Sequence, residues 1–181
     1  MLAEKYLVYL GYLMDHGHYS FITDKLPDNY KRVGLISLLF PNARIIYCKR
    51  NPLDNAISQF NLLFSGRYGY SCDLFNLGVR HVEMERLMAH WKSLRPQHIL
   101  DIQYETLIHD QEPQTRRLLD FLDLQWDERC LRFFESERSV HTASHSQVRK
   151  PMYSGSIGRW KHYEKHLEPL YRGLRWPQGS Y

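Results

Sequence analysis

The chain of 181 residues is 43% hydrophobic, 14% aromatic and 24% charged, which supports one sizeable core and excludes a disordered, collagen-like or fibrous protein. Lysine and arginine total 24 against 20 acidic residues, a net charge of +4, and the excess is scattered, which argues against a nucleic-acid-binding stripe while permitting an anionic ligand. The three cysteines, Cys48, Cys72 and Cys130, lie far apart without Cys-x-x-Cys spacing, so neither a disulfide framework nor a zinc ribbon is expected and the cytoplasm is the simplest compartment.

Apolar residues Leu2, Tyr6, Tyr9, Leu10 and Leu13 recur at three-and-four spacing and predict an amphipathic helix over 2–14, too short for a membrane span and unlike a signal peptide. Residues 19–23 have a strand-like pattern, and Pro27 holds Leu26 out of helical geometry, so Lys25 is expected at a strand end. A helix is expected from about Asn29 to Phe40. Ala43 to Cys48 then reads as a buried strand. Directly after it, Asn51 is a natural N-cap and Pro52 suits the first helical position, so a helix starts at a strand's C-terminal end. The glycine and tyrosine run Ser65 to Tyr70 suits a loop that covers a site. Further elements are a helix from about Leu74 to Leu94, a strand over 98–104, a helix beginning near Pro113 and helical patterning from Trp126. Residues 136–158 form a polar, basic stretch expected to be a functional loop, and the tail from Trp160 to Leu174 reads as helical. The alternation predicts a mostly parallel α/β sheet in a single domain, 1–181.

The segment Tyr47 to Ser58 concentrates the chemistry. A forked cation at Arg50, a helix N-terminus with free backbone N–H groups and its positive dipole end suit a phosphate. Ser58 falls seven residues beyond Asn51, two turns on and on the same helix face. The plainer alternative pairs Arg50 with a nearby aspartate and leaves Ser58 as a surface serine. Lys25 would share the sheet edge where α/β proteins hold ligands, its alternative being a solvated lysine beside Asp24. The cations Arg149 and Lys150 with several hydroxyls suit either a loop that closes over an anion or a solvated basic loop. His16 with His18, and His141 with His145, lack a further ligand at recognisable spacing, so no metal is expected.

Three segments, Thr23-Asp24-Lys25-Leu26-Pro27, Phe40 through Ser58, and Gln147-Val148-Arg149-Lys150-Pro151, resemble the sulfotransferase family in order and spacing over roughly residues 19–174. The branch most similar comprises tyrosylprotein sulfotransferases and bacterial sulfotransferases fused to tetratricopeptide repeats. The resemblance implies a P-loop-NTPase-like α/β fold and 3′-phosphoadenosine 5′-phosphosulfate as sulfuryl donor, transferred in line to a hydroxyl of a protein, carbohydrate or small molecule. It assigns Arg50 and Ser58 to the donor's 3′-phosphate, Tyr104 to the neighbourhood of the adenine, and Ser144 and Lys150 to the donor phosphates. Lys25 matches a lysine near the bridging oxygen, and with Ser144 makes up the implied catalytic pair.

The sequence also departs from the family pattern. No Gly-Ser-Thr or Gly-Thr-Thr loop precedes Lys25 to grip the 5′-phosphosulfate, no general base is assigned, and Leu62 stands where a basic residue is expected. The chain is therefore expected to be the C-terminal part of a sulfotransferase domain, weak or inactive in isolation. The competing expectation is a non-catalytic nucleotide- or anion-binding module, or a degenerate remnant. Neither a nucleic acid nor a membrane is expected as a partner.

Overall fold

A computed structural model describes residues 2–13, 20–62, 69–136 and 149–175. Within them the chain is α/β: helices α1 (Leu2–Leu13), α2 (Val33–Leu39), α3 (Pro52–Phe60), α4 (Leu74–Leu94), α5 (Tyr104–His109), α6 (Gln111–Phe121) and α7 (Glu168–Leu174), with strands β1 (Ile45–Lys49) and β2 (Ile99–Gln103). Short 3-10 helices cover Pro27–Arg32, Gly69–Cys72, Glu128–Glu135 and Arg159–His166. Among the described residues no helix is long and apolar enough to cross a membrane. The chain divides into two compact units, Met1–Ala43 with Met84–His98, and Arg44–Glu83 with Ile99–Tyr181.

In the first unit α1 forms where its apolar spacing predicts, and the Tyr6 ring tilts against Phe40 at 5.7 Å between centroids. The Tyr6 hydroxyl donates to Asp24 Oδ2 at 2.7 Å, and this bond, with burial, pushes its pKa up to about 12. Gly34 of α2 lies against the six-membered ring of Trp91, where a Cβ would come within 2.5 Å of the indole. Arg95 donates to the carbonyls of Ser37 and Pro41, tying α2 and the turn after it to the chain that follows α4. Val33 and Met88 are buried here.

Two sequence expectations fail in this unit. Residues 20–26 form no strand, because a strand needs a ladder partner and the described sheet contains only β1 and β2, which pair with each other. Lys25 therefore sits in irregular exposed chain rather than at a strand end, and Phe21 is left 67% exposed. The helix expected from Asn29 begins instead as a 3-10 helix at Pro27, whose fixed φ starts it early, and becomes α-helical only at Val33.

The second unit is built on parallel pairing of β1 with β2, in register Ile45↔Ile99 through Lys49↔Gln103. β1 is not the buried strand its composition suggests: Ile46 and Cys48 are exposed in alternation with half-buried neighbours. The core gathers Leu53, Ala56 and Ile57 of α3, Leu77 of α4, Leu167, and Leu170, Tyr171 and Leu174 of α7, with Trp160 and Tyr163 packed against it. The expected tail helix is thus split into a 3-10 helix and α7, with Leu167 fully buried between them. Residues 65–68 of the glycine and tyrosine run and 137–148 of the long loop lie outside the described residues.

α4 and α7 cross at Gly78 and Gly173, where a Cβ on Gly78 would lie 2.7 Å from the backbone of Gly173, Leu170 and Leu174. Backbone cannot move aside as a flexible side chain can, so Gly78→Ala is expected to destabilise by about 1–3 kcal/mol in urea unfolding. Gly11→Ala, with nothing within 4 Å, should instead be neutral or stabilising by up to about 1 kcal/mol. Equal unfolding midpoints for the Gly78 variant and the parent would contradict the close crossing.

Candidate functional site

Parallel strands end at the same edge of a sheet, so the residues that follow them meet. The register ends at Lys49↔Gln103, and the next residues are Arg50 and Asn51 after β1, Tyr104 and Glu105 after β2. The Arg50 guanidinium lies 5.0 Å from the centre of the Tyr104 ring. Its Nη2 donates to the Ser156 carbonyl at 2.9 Å, and the Ser156 hydroxyl lies 3.1 Å from the Tyr104 hydroxyl. Arg50 Nε is buried with no hydrogen-bond partner among the described residues. Leaving such a donor unmade costs about 1–3 kcal/mol, and a bound anion would satisfy it.

The start of α3 differs from the expected open anion site. The Asn51 side chain accepts from Leu53 and Asp54 N–H at 3.0 and 3.2 Å, the Asn51 N–H donates to Glu105 Oε1 at 2.8 Å, and Pro52 has no N–H. Asparagine is short enough to fold back on its own helix, so the backbone donors at this terminus are already used. An anion here must be held by side chains.

Glu105 also accepts from Gln103 Nε2 at 2.5 Å. Burial alone would raise its pKa, but the bonds from Asn51, Gln103 and its own N–H, together with the Arg50 charge, hold it below the ordinary value of 4.5.

Of the other residues expected in the site, Ser58 is half-buried on α3, about 10 Å along the helix axis from Asn51. Lys150 is exposed at a bend. Lys25 belongs to the first unit, and Ser144 lies outside the described residues, as do His16, His18, His141 and His145.

Three residues with clear roles in this geometry were not singled out from sequence. Asp54 accepts from the N–H groups of Gly158 and Trp160 at 2.7 and 2.9 Å while 2% exposed. Its only sequence signal is its place in the first turn of a helix, which suggests a dipole partner rather than a long-range one. Glu105 is marked only by following Tyr104 at a helix start. Ser156 has no local signal, since its partner Arg50 is 106 residues away.

A folded-state pKa held below the unfolded value contributes stability that is present above 4.5 and lost as pH falls through the lowered folded value. Glu105→Gln should therefore lower Tm at about pH 7, with the gap from the parent closing towards about pH 3. A gap of constant size across that range would rule out a role for the carboxylate charge.

The family model described as "Sulfotransferase family" matches residues 2–128, a span holding β1, the start of α3, β2, Tyr104 and Glu105. The match begins within α1, earlier than the resemblance read from residue 19 onward. An uncharacterized protein of Aquifex aeolicus (strain VF5) is 41% identical over 152 residues, covering 82% of this chain and 20% of that relative. The chain thus spans about a fifth of the length of the curated relative it matches. With the family matched across most of its length, including both strands and the residues that follow them, the chain belongs to the sulfotransferase family.

Proposed function

We propose that this chain contributes the 3′-phosphate-binding part of a sulfotransferase using 3′-phosphoadenosine 5′-phosphosulfate, within one P-loop-NTPase-like domain of the cytoplasm. The observation that carries the reading is the buried, unpartnered Arg50 Nε beside the Tyr104 ring, at the edge where both strands end. It supplies a directed cationic donor next to an aromatic face, suited to a phosphate attached to a nucleoside. Family membership supports the donor class.

Arg50 and Ser58 hold the 3′-phosphate and Tyr104 lies by the adenine, while Lys150 and Ser144 contact the donor phosphates. The donor, when bound, supplies the sulfuryl group. Transfer breaks the sulfur–oxygen bond to the phosphate and forms one to the acceptor hydroxyl, whose proton passes to a base. Lys25 neutralises the charge that grows on the departing phosphate oxygen. Positioning and electrostatics carry most of such a transfer. The acceptor is a hydroxyl of a protein, carbohydrate or small molecule.

Calorimetric titration tests the site: 3′-phosphoadenosine 5′-phosphate should bind more tightly than adenosine 5′-monophosphate. Arg50→Ala should abolish that preference, and Ser58→Ala should weaken the bisphosphate by about tenfold, as expected for losing a bond to a charged group. Equal, weak binding of the two nucleotides would favour a generic anion pocket in a non-catalytic module. A preference that survives Arg50→Ala would place the 3′-phosphate elsewhere.

A further inference from the structure

We infer that Asp54 is a positioning residue for the Arg50, Tyr104 and Ser156 cluster, acting through the turn at residues 154–160; its consequence for nucleotide binding rests on the function proposed above. A buried carboxyl needs hydrogen-bond partners. Asp54, 2% exposed in the first turn of α3, takes both of its partners from a segment more than one hundred residues later. Those partners, Gly158 and Trp160, flank the start of the 3-10 helix Arg159–His166, so Asp54 caps it from outside. Gly158 has φ +72, a left-handed conformation that other residues adopt at a cost. Two residues before Gly158 stands Ser156, whose carbonyl receives Arg50 and whose hydroxyl meets Tyr104. Trp160 packs against the core that also holds Leu53, Ala56 and Ile57. The turn is thus held at Asp54, Arg50 and the core, and Asp54 is the tie that fixes its backbone. Arg50 lies four residues before Asp54, so one short stretch of chain supplies both the cation and the clamp on the loop facing it.

The test uses the full 181-residue chain with Asp54→Asn, Gly158→Ala and both together. Asp54→Asn keeps one acceptor but turns an amide NH2 towards the second N–H, and Gly158→Ala strains the same turn without touching Asp54. Without ligand, amide exchange at Gly158 and Trp160 and the Arg50 Nε nuclear magnetic resonance signal report on the turn. With 3′-phosphoadenosine 5′-phosphate, calorimetry reports on binding. Each single variant should accelerate exchange, shift the Arg50 signal and weaken the bisphosphate by about tenfold, and the double variant should add little, because both act through one element. An unmoved Arg50 signal, unchanged affinity despite faster exchange, or additive losses would overturn the inference. If Asp54→Asn does not fold, Asp54→Glu, which keeps the carboxylate but displaces it from the two N–H groups, takes its place and is read by the same signals. A parent chain that binds no bisphosphate would sink the functional proposal, and the Arg50 signal would then decide the positioning role by itself.

Discussion

The parallel pairing of β1 and β2 in the register Lys49↔Gln103 is the constraint on which the rest of the second unit depends. Because both strands run the same way, the residues following each emerge at one edge, and Asn51 and Glu105 close the junction with a backbone-to-carboxylate bond of 2.8 Å. A slip of one residue would move every side chain to the opposite face. It would also part Arg50 from Tyr104.

Backbone polar groups decide which donors this edge leaves open. A helix N-terminus following a strand is a ready anion site when its N–H groups are free. Here Asn51 and Glu105 take them, and Arg50 Nε is the buried donor left without a partner among the described residues. The arrangement keeps a rigid helix start while one cationic donor stays unpartnered among the described residues. The lowered pKa of Glu105 belongs to the same economy, since its carboxylate is held by the groups it orders.

The loop side of the site obeys a different logic. Ser156 reaches Arg50 and Tyr104 only because Gly158 turns the chain through a left-handed conformation and Asp54 receives the two N–H groups around it. The glycine pair Gly78 and Gly173 lets α4 and α7 approach closely beside the core that anchors Trp160. Small residues and a buried acceptor thus do for the loop what strand pairing does for the sheet edge.

Local chemistry made much of this legible in the sequence. The three-and-four spacing of α1, the boundaries of α4, a strand within 98–104, and Asn51 with Pro52 at the head of α3 are set by interactions within a few residues, so they can be read from the chain alone. Arg50 stood out in the sequence as a cation at a strand end, and Tyr104 only through the family resemblance, because the strand was expected to run through it to 104; the structure ends β2 at Gln103 and sets the guanidinium beside that ring. What depends on partners distant in sequence was not legible. Residues 20–23 have strand composition but no ladder partner in the described sheet, and β1 has the composition of a buried strand but exposes alternate residues. Asp54, Glu105 and Ser156 are ordinary residues until the tertiary structure sets them against Gly158, Asn51 and Arg50. The sequence by itself determined the elements set by local spacing and capping and where a cation meets a helix start; only the tertiary structure decided which strand-like segments find a partner, which donors are already used and which stay open, because hydrogen-bond satisfaction belongs to the whole fold and not to any segment of it.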